Sequence, residues 1–275
     1  MRFINVVFPA PVEPMIPTWS PGSTLKVIFF STGLAGWSVP PAVVGGDFGN
    51  DLNLAGFNED SAENIYENRR RFLSVFDGEP KLATVWQVHG DAIKTIRTVD
   101  DIGNSEDKAD AVVSNIEGIL TGVKTADCVP VLIGDPVTGA FAAIHAGWRG
   151  TVQSIVVKAV RELESDFAAN PENMICAIGP AASGRCYEIG QDVIDAFAAD
   201  HPGSEAYFTE TREGHALVDL HEANRDQAIG AGIATSNIYV SGLCTIESTD
   251  LFFSYRVEKR KFGRTGRLLS VIGRR

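Results

Sequence analysis

Two hydrophobic periodicities alternate along this chain. Apolar residues recur at every third or fourth position in four segments, a spacing typical of amphipathic helices. The predicted helices cover residues 58–76, 151–168, 191–199 and 220–231. The spacing is most regular over 151–168, and Asp60 and Glu63 fit a capping box near the start of the first segment.

Shorter runs rich in β-branched and aromatic residues predict strands. These runs lie at 24–31, 83–88, 93–98, 110–114, 120–124, 129–134, 140–145, 174–178, 216–219, 237–240, 251–255 and 268–272. Helices and strands do not alternate strictly, so the pattern favours an α/β fold with a mixed sheet over a doubly wound parallel sheet.

The amino-acid composition changes once, near the N-terminus. Residues 1–23 contain five prolines and predict an irregular arm. Beyond them, no stretch is long or polar enough to mark a boundary between domains. We therefore expect a single α/β domain, which would carry any catalytic site, over residues 24–275.

Charge and cysteine content narrow the classes of function. The 275 residues carry a formal net charge of −11 at pH 7, which argues against nucleic acid or an anionic membrane as a partner. Four cysteines in a chain of this length do not make a secreted disulfide scaffold. The early apolar stretches are broken by prolines and glycines, unlike a signal peptide or a transmembrane helix. These features predict a cytoplasmic protein.

Three residues at predicted strand ends are candidates for chemistry: His89, Cys128 and His145. They are too far apart along the chain for a local zinc finger, so the fold must bring them together. Two histidines and one cysteine would give Zn²⁺ three ligands and leave one position for water or substrate. Zinc bound there would lower the pKa of its water and polarise a substrate oxygen.

The same residues fit a second chemistry. A cysteine beside a histidine can act as a nucleophile and its base, with a third polar group orienting the histidine. Asp127 is adjacent in sequence, but its side chain should point to the opposite side of the strand from Cys128. The residues therefore favour a metal site over a triad that uses Asp127, without excluding the nucleophile.

Other polar and aromatic residues have both a structural and a functional interpretation. Trp148 and Arg149 open the helix after His145, where they could capture an anion or simply pack and pair. The basic run 69–71 spreads around a helix, so most of it should be solvated. We expect structural roles for Cys176, Cys186 and Cys244, and surface or capping positions for His201, His215 and His221.

The order of several motifs resembles the YfiH/laccase-domain family. These are DLNL at 51–54, ENRRR at 67–71, QVHG at 87–90, ADAVVSN at 109–115, TADCVPVL at 125–132, AAIHAGWRGT at 142–151, IGP at 178–180, CYEIG at 186–190, CT at 244–245, FFSYR at 252–256 and TGR at 265–267. Each motif alone is weak, but together they extend the resemblance over about residues 24–272.

The resemblance implies a metal site made by His89, Cys128 and His145. It implies phosphorolysis of adenosine, inosine, guanosine and methylthioadenosine, with adenosine deamination as a side reaction and Zn²⁺, or copper, as the ion. It also implies a mixed α/β sandwich similar to the catalytic domain of cytotoxic necrotizing factor. Purine nucleoside and phosphate are the expected partners, and the protein is expected to be a monomer or small homo-oligomer.

Four residues are expected to bind the substrate under this interpretation. Arg149 and Arg256 would hold phosphate, and Trp148 or Tyr187 would stack on the base. The sequence departs from the family pattern at Gly33, where an arginine is usual, and after Arg256, where a second arginine is lost. The departure at Gly33 puts the choice of substrate in question more than the metal site.

Three alternatives remain open from the sequence. By analogy with the toxin domain, a cysteine-dependent amidohydrolase would use Cys128 as nucleophile and His145 as base, and could edit peptidoglycan precursors. The family was first labelled a multicopper polyphenol oxidase, but five histidines are few for several coppers. A metal-binding protein without catalysis is the third alternative.

Overall fold

The computed structural model describes residues 3–7, 24–29, 53–54 and 61–274, except 75, 77, 104 and 105. Its strands are β1 (Phe3–Val7), β2 (Thr24–Phe29), β3 (Lys81–Ala83), β4 (Ile93–Ile96), β5 (Ala111–Ser114), β6 (Ile119–Thr125), β7 (Val129–Gly134), β8 (Phe141–Ala146), β9 (Ile175–Ile178), β10 (Glu188–Gly190), β11 (Phe208–Arg212), β12 (His215–Val218), β13 (Ile238–Val240) and β14 (Leu268–Arg274). Its α-helices are α1 (Ala62–Leu73), α2 (Trp148–Val152), α3 (Ile155–Phe167), α4 (Gln191–Asp200), α5 (Leu220–Gly230) and α6 (Tyr255–Phe262).

Two mixed sheets form the centre of the described structure. One has the order β13-β9-β7-β8-β5-β4, with parallel pairs at both edges and antiparallel pairs between them. The other has the order β1-β2-β14-β6-β3, again with parallel pairs at the edges. A smaller antiparallel sheet has the order β10-β12-β11. The expectation of an α/β fold with mixed sheets is confirmed.

The two large sheets pack face to face, with helices outside them. Phe141 and Leu132 from one sheet meet Val123 and Ile272 from the other in a buried cluster. Alternate residues of the same strands face the other way, because side-chain direction has a period of two. That outer face of the six-stranded sheet packs against α3 and α5 in the largest apolar cluster. On the far side, Phe72 of α1 covers the five-stranded sheet.

Helix α1 confirms the first predicted helix in a shorter form. It begins after Ser61, whose side chain accepts a hydrogen bond from the backbone N–H of Asn64 at 3.3 Å, so Ser61 is the N-cap. Ile65 and Phe72 are buried, as the spacing predicts. Asp60, the predicted capping residue, lies outside the described residues.

The prediction of one continuous helix over 151–168 is wrong. Helix α2 begins earlier, at Trp148, and Ser154 has a φ of 58°, which separates α2 from α3. The carbonyls at the end of α2 are taken by distant side chains: Gln227 donates to Thr151 at 2.6 Å, and His201 Nε2 lies 2.7 Å from the oxygen of Val152. These long-range contacts satisfy the broken helix, and hydrophobic spacing cannot detect them.

The predicted strand over 251–255 is also wrong. Phe252 and Phe253 are buried as the pattern suggested, but they sit in a turn in which Phe252 bonds back to Ser248. Ser254 then caps α6 by accepting a hydrogen bond from the N–H of Val257 at 3.3 Å. A short apolar run is equally compatible with a buried turn, and the cap decides the outcome.

The predicted strand over 83–88 is correct only at its start. β3 ends at Ala83, and the side chain of Gln87 takes the place of a further strand pair. Its amide accepts from the N–H of Lys124 at 2.8 Å and donates to the oxygen of Lys124 at 2.7 Å. A side chain therefore satisfies the edge of β6 where a backbone ladder was predicted.

The remaining predicted elements are found within a few residues of their expected bounds, α4 and α5 among them. The pattern missed β10, β11 and α6. Within the predicted irregular arm, Phe3–Val7 instead forms β1, which pairs in parallel with β2. The division into an arm at 1–23 and a domain at 24–275 stays a prediction. In the described part of the chain, no helix is long and apolar enough to cross a membrane.

Gly273 in β14 lies where neighbouring strands of the five-stranded sheet approach each other closely. A Cβ at this position would overlap the carbonyl oxygen of Ile119 and lie 2.7 Å from Leu120 Cδ2. Because a paired backbone cannot move aside, we expect Gly273→Ala to lower the free energy of unfolding by about 1–3 kcal/mol. Denaturant titration measures this. Gly242→Ala is the matched control, since its Cβ would meet nothing within 4 Å. Equal stability of the two variants contradicts the prediction.

Candidate active site

The fold brings His89, Cys128 and His145 together. His145 lies in β8, Cys128 lies in the turn between β6 and β7, and His89 lies in the loop between β3 and β4. Each offers one ligand atom, and these atoms lie within 4.8 Å of one another. The two imidazole rings meet edge to face with centroids 4.9 Å apart. His145 is buried, Cys128 is half-buried and His89 is exposed, so the cluster opens to solvent on the His89 side.

A buried carboxylate braces two of these residues. Asp110 has no exposed surface, and its Oδ1 accepts from the N–H of His89 at 2.9 Å and lies 2.8 Å from His145 Nδ1. Its Oδ2 accepts from the N–H of Gly90 at 2.7 Å and of Val88 at 3.2 Å. His89 has a φ of 61°, an unusual conformation for a residue with a side chain. The bonds to Asp110 hold it there.

The electrostatics of the metal-free cluster favour a charged pair. Burial opposes ionisation of the Cys128 thiol, but the charge and hydrogen bond of His145, with help from His89, outweigh it and lower its pKa to about 6. Burial also opposes charge on His145, but Cys128 and Asp110 outweigh it and raise its pKa to about 9. For Asp110, the bonds from His145 and from backbone N–H groups overcome burial and lower the pKa. At neutral pH the cluster therefore holds a thiolate beside an imidazolium.

The cluster also has the donor set and the space that a metal ion requires. Thiolate and imidazole are the usual ligands of zinc and also bind copper. Gly147, directly after β8, faces this space: a Cβ there would lie 3.2 Å from His89 Cδ2 and 3.3 Å from Cys128 Sγ. Because Asp110 occupies His145 Nδ1, the Nε2 atom is left to bind an ion. The three residues thus fit a metal with one open position.

The side chain of Asp127 points away from this cluster, as the alternation of side chains along a strand predicted, although Asp127 lies in a turn. Its Oδ1 accepts from the hydroxyl of Thr245 at 2.7 Å, and its Oδ2 accepts from the backbone N–H of Arg256 at 2.7 Å. It therefore holds the first turn of α6. The third member of a Cys–His–acid arrangement in this structure is Asp110, not Asp127.

The four residues expected to bind the substrate form two arginine–aromatic pairs. Tyr187, half-buried just before β10, interacts electrostatically with Cys128, Arg149 and Arg256. The Arg256 guanidinium lies 4.9 Å from the centroid of the Tyr187 ring, and that of Arg149 lies 4.2 Å from the centroid of Trp148. Burial is the main cause that raises the pKa of Tyr187 to about 12. Tyr187 thus connects these pairs electrostatically to Cys128 of the candidate cluster.

The other histidines have structural partners. The rings of His201, His215 and His221 each lie within 3.0 Å of a backbone carbonyl oxygen. His221 is buried, which corrects the expectation of a surface or capping role for it. All five histidines lie in the described part of the chain, and only two of them converge. This donor count is too small for a cluster of several coppers.

The remaining candidates fall outside the cluster. Arg70 and Arg71 pair with Glu67 on α1. Gly33 lies outside the described residues, so its departure from the family pattern is not addressed by the structure. Cys176 is buried in the apolar core, and burial raises the pKa of its thiol to about 12, which makes it unreactive. Cys186 and Cys244, expected to be structural, lie together with Glu247.

Sequence reasoning missed two residues of the site. Asp110 lies in the ADAVVSN motif, and an acidic residue beside an apolar strand was a usable signal of a buried, functional carboxylate. Gly147 lies in AAIHAGWRGT, where its lack of a side chain leaves space beside the ligands. No local pattern identifies that space.

Comparisons with known proteins show sequence similarity over most of the chain. A family model described as multi-copper polyphenol oxidoreductase laccase matches residues 27–275. A protein of Escherichia coli (strain K12), named purine nucleoside phosphorylase YfiH, is 32% identical over 258 residues, 94% of this chain and 97% of its own. A protein of Deinococcus radiodurans, named purine nucleoside phosphorylase, is 36% identical over 223 residues, 81% of each chain.

Solved structures are similar to this chain in fold over most of its length. The hypothetical protein YfiH of Bacillus licheniformis has a TM-score of 0.78 and 30% identity, covering 90% of this chain and 92% of its own. YlmD of Geobacillus stearothermophilus has a TM-score of 0.78 and 32% identity, covering 91% of this chain and 92% of its own.

Asp110→Asn tests the role of the buried carboxylate. An asparagine side chain has one NH₂ group in place of a carboxylate oxygen. This NH₂ group would face N–H groups that now donate to Asp110, and the repulsion would displace His145 or His89. We expect metal affinity to fall about 10- to 100-fold, as for other residues that orient metal ligands. Competition with a chromogenic chelator measures it. Asp135→Asn is the matched control, because Asp135 is equally buried and bonds Val137 and Thr138 away from the site. An equal loss of affinity in both variants contradicts the assigned role.

Proposed function

Because the chain belongs to the family described as multi-copper polyphenol oxidoreductase laccase, with YfiH-type relatives over most of its length, we propose that it is a metal-dependent purine nucleoside phosphorylase. The proposed substrates are adenosine, inosine, guanosine and methylthioadenosine, with adenosine deamination as a minor reaction. The proposed ion is Zn²⁺, with copper as the alternative.

One observation carries this proposal. The three candidate metal ligands lie together, and Tyr187 interacts electrostatically with Cys128 and with two arginines, each of which stacks on an aromatic ring. Phosphorolysis needs a cationic place for phosphate, a surface for the purine and a polarising group near the ribose. These side chains offer a group for each of these needs.

His89, Cys128 and His145 are proposed to hold the ion. When bound, Zn²⁺ would supply a Lewis acid that polarises an oxygen of the substrate or phosphate. Asp110 fixes the ring of His145 through Nδ1 and the loop of His89 through its backbone, so neither imidazole has to be ordered when substrate arrives.

Arg149 and Arg256 are proposed to hold phosphate. Both side chains are exposed, and each guanidinium is stacked on an aromatic ring, which limits its motion and leaves donors along its edge. Arg256 is further tied by a 2.9 Å bond from Nη1 to the oxygen of Glu188. Two guanidinium groups provide charge and directional hydrogen bonds for a dianion.

Trp148 and Tyr187 are proposed to contact the purine. In the reaction, the C1′–N9 bond breaks, a C1′–O bond to phosphate forms, and the purine leaves with the bonding electron pair. The pKa of Tyr187 is raised to about 12, chiefly by burial, so its hydroxyl stays protonated at neutral pH. It can therefore donate a hydrogen bond to the leaving purine as negative charge develops.

The constellation of Cys128, His145 and Asp110 favours a second candidate, a cysteine-dependent amidohydrolase. The His145–Asp110 contact is 2.8 Å, and His145 interacts with the Cys128 thiol. This is the arrangement of a nucleophile, a base and an orienting acid. Peptidoglycan precursors are the amide substrates considered for it. Cys128 and His145 are metal ligands in the first candidate and nucleophile and base in the second. Removal of the metal should therefore abolish only the first activity, and alkylation of the metal-free protein should abolish the second.

Product analysis with adenosine tests the phosphorylase proposal. Zinc-loaded protein with adenosine and phosphate is expected to release adenine and ribose 1-phosphate, and omission of phosphate should abolish both. His89→Ala removes one of three proposed ligands, so turnover and bound zinc should fall together, at least 10-fold. His215→Ala is the matched control, since this histidine lies in the hairpin of β11 and β12 and is not a candidate ligand. Mass spectrometry identifies the products.

Three results would contradict the phosphorylase proposal. Inosine as the only product, with no adenine or ribose 1-phosphate when phosphate is present, would leave a deaminase. No purine product from zinc-loaded protein would remove the nucleoside substrate. Full turnover by metal-free His89→Ala would remove the metal from the reaction. Copper in place of zinc as the ion that restores activity would change only the identity of the cofactor.

Alkylation of the metal-free protein tests the charged pair that the second candidate needs. The lowered pKa of Cys128 means that its thiolate forms as pH rises through about 6, well below an ordinary cysteine. We expect the iodoacetamide rate at Cys128 to rise around pH 6 and level off above pH 7, while buried Cys176 stays unmodified. Peptide mapping separates the sites. A midpoint of about 8.5 or above, the value of a free thiol, would contradict the assignment.

A further inference from the structure

A second cluster of ligand-type side chains lies outside the candidate active site. The ligand atoms of Cys186, Cys244 and Glu247 lie within 4.8 Å of one another. Cys186 and Cys244 are free thiols, the first half-buried and the second buried, and Glu247 is exposed. The proposed phosphorylase reaction uses none of these groups.

The backbone holds this cluster in place. Ala181 and Cys244 form an isolated parallel bridge, and Thr245 donates its N–H to the oxygen of Ala181 at 3.0 Å. The N–H of Ser183 lies 3.4 Å from the sulfur of Cys244. Two loops that are distant in sequence are thus joined, with a cysteine from each at the junction.

We propose that Cys186, Cys244 and Glu247 form a second metal site, for a soft divalent cation of the zinc class. Two sulfurs and one carboxylate oxygen are donors that zinc and cadmium accept, and a fourth position would go to water. Ligand atoms about 3.5–4 Å apart are required around a tetrahedral ion with the usual bond lengths. The cluster needs only a small adjustment to meet this.

The charges around the cluster support a divalent cation. With an ion bound, two thiolates and one carboxylate would carry three negative charges. Arg185 adds one positive charge through its contact with Glu247, where Nη2 lies 2.6 Å from Oε2 and Nε lies 3.4 Å from Oε1. A divalent ion makes the total neutral, which is the favourable arrangement for a partly buried group of charges.

A metal site accounts for the proximity of all three side chains, whereas a disulfide accounts only for the two cysteines. A disulfide between Cys186 and Cys244 would not involve Glu247, which would keep its pairing with Arg185. The acidic third member beside two thiols is typical of a ligand set.

The second site would act on the first through adjacent residues. Cys186 precedes Tyr187, which borders Cys128, and Cys244 precedes Thr245, which donates to Asp127 at 2.7 Å. An ion that fixes both cysteines would therefore fix the loops that carry Tyr187 and anchor α6. This inference concerns a separate site and does not depend on the proposed function.

Cadmium titration of the reduced, metal-free full chain tests the proposal. Thiolate–Cd²⁺ charge-transfer absorption reports bound sulfur. We expect wild-type protein to take up two equivalents. Cys128→Ser removes the thiolate of the first site, so it should keep one equivalent and about two thirds of the absorption, from two of three thiolates. Adding Cys186→Ser should abolish the remaining signal.

Two further variants keep the result interpretable. Glu247→Gln retains both thiols, so in the Cys128→Ser background it should weaken cadmium binding at least 10-fold if the carboxylate is a ligand. Cys176→Ala is the matched control, since it removes a cysteine that lies in the core. Circular dichroism verifies that each variant is folded. One equivalent in wild-type protein with none in Cys128→Ser, or unchanged affinity in Glu247→Gln, overturns the proposal.

Discussion

The candidate site depends on one buried carboxylate. Asp110 loses its hydration entirely, and an ionised group in that position is stable only if hydrogen bonds replace water. Three backbone N–H groups and His145 supply them. The same bonds hold His89 in its left-handed conformation and select the free nitrogen of His145. These hydrogen bonds offset the cost of burying the charge, and they also order two of the three candidate ligands.

The turn between β6 and β7 is the second constraint, because it carries the chain from one large sheet to the other. Consecutive side chains in it point in opposite directions, so Cys128 reaches the ligand cluster while Asp127 reaches Thr245 and α6. Arg256, the second residue of α6, is thereby placed over Tyr187. One short turn therefore positions both a candidate metal ligand and a proposed phosphate-binding residue.

Short-range sequence patterns predicted most regular elements and the three candidate ligands. They did not predict features that depend on contacts between segments far apart in the sequence. The spacing of apolar residues gave β7, α4 and α5, and strand ends identified His89, Cys128 and His145. The break between α2 and α3 depends on Gln227 and His201, and the loss of the strand at 251–255 depends on the cap at Ser254. Such contacts join segments far apart in sequence, so no window of neighbouring residues contains the information.

The pair formed by Cys128 and His145 explains why the same site fits a metal and a nucleophile. With pKa values of about 6 and about 9, the pair holds one proton across the neutral range, and that proton lies on the imidazole. A metal ion needs the thiolate, which is already present, and the neutral imidazole, which is not. Metal binding would therefore release one proton and replace the imidazolium by a cation of higher charge. Asp110, whose Oδ1 lies 2.8 Å from His145 Nδ1, would stabilise positive charge at His145 from either source. In both proposed functions the reactivity of Cys128 would thus depend on the competition between metal and proton at this pair.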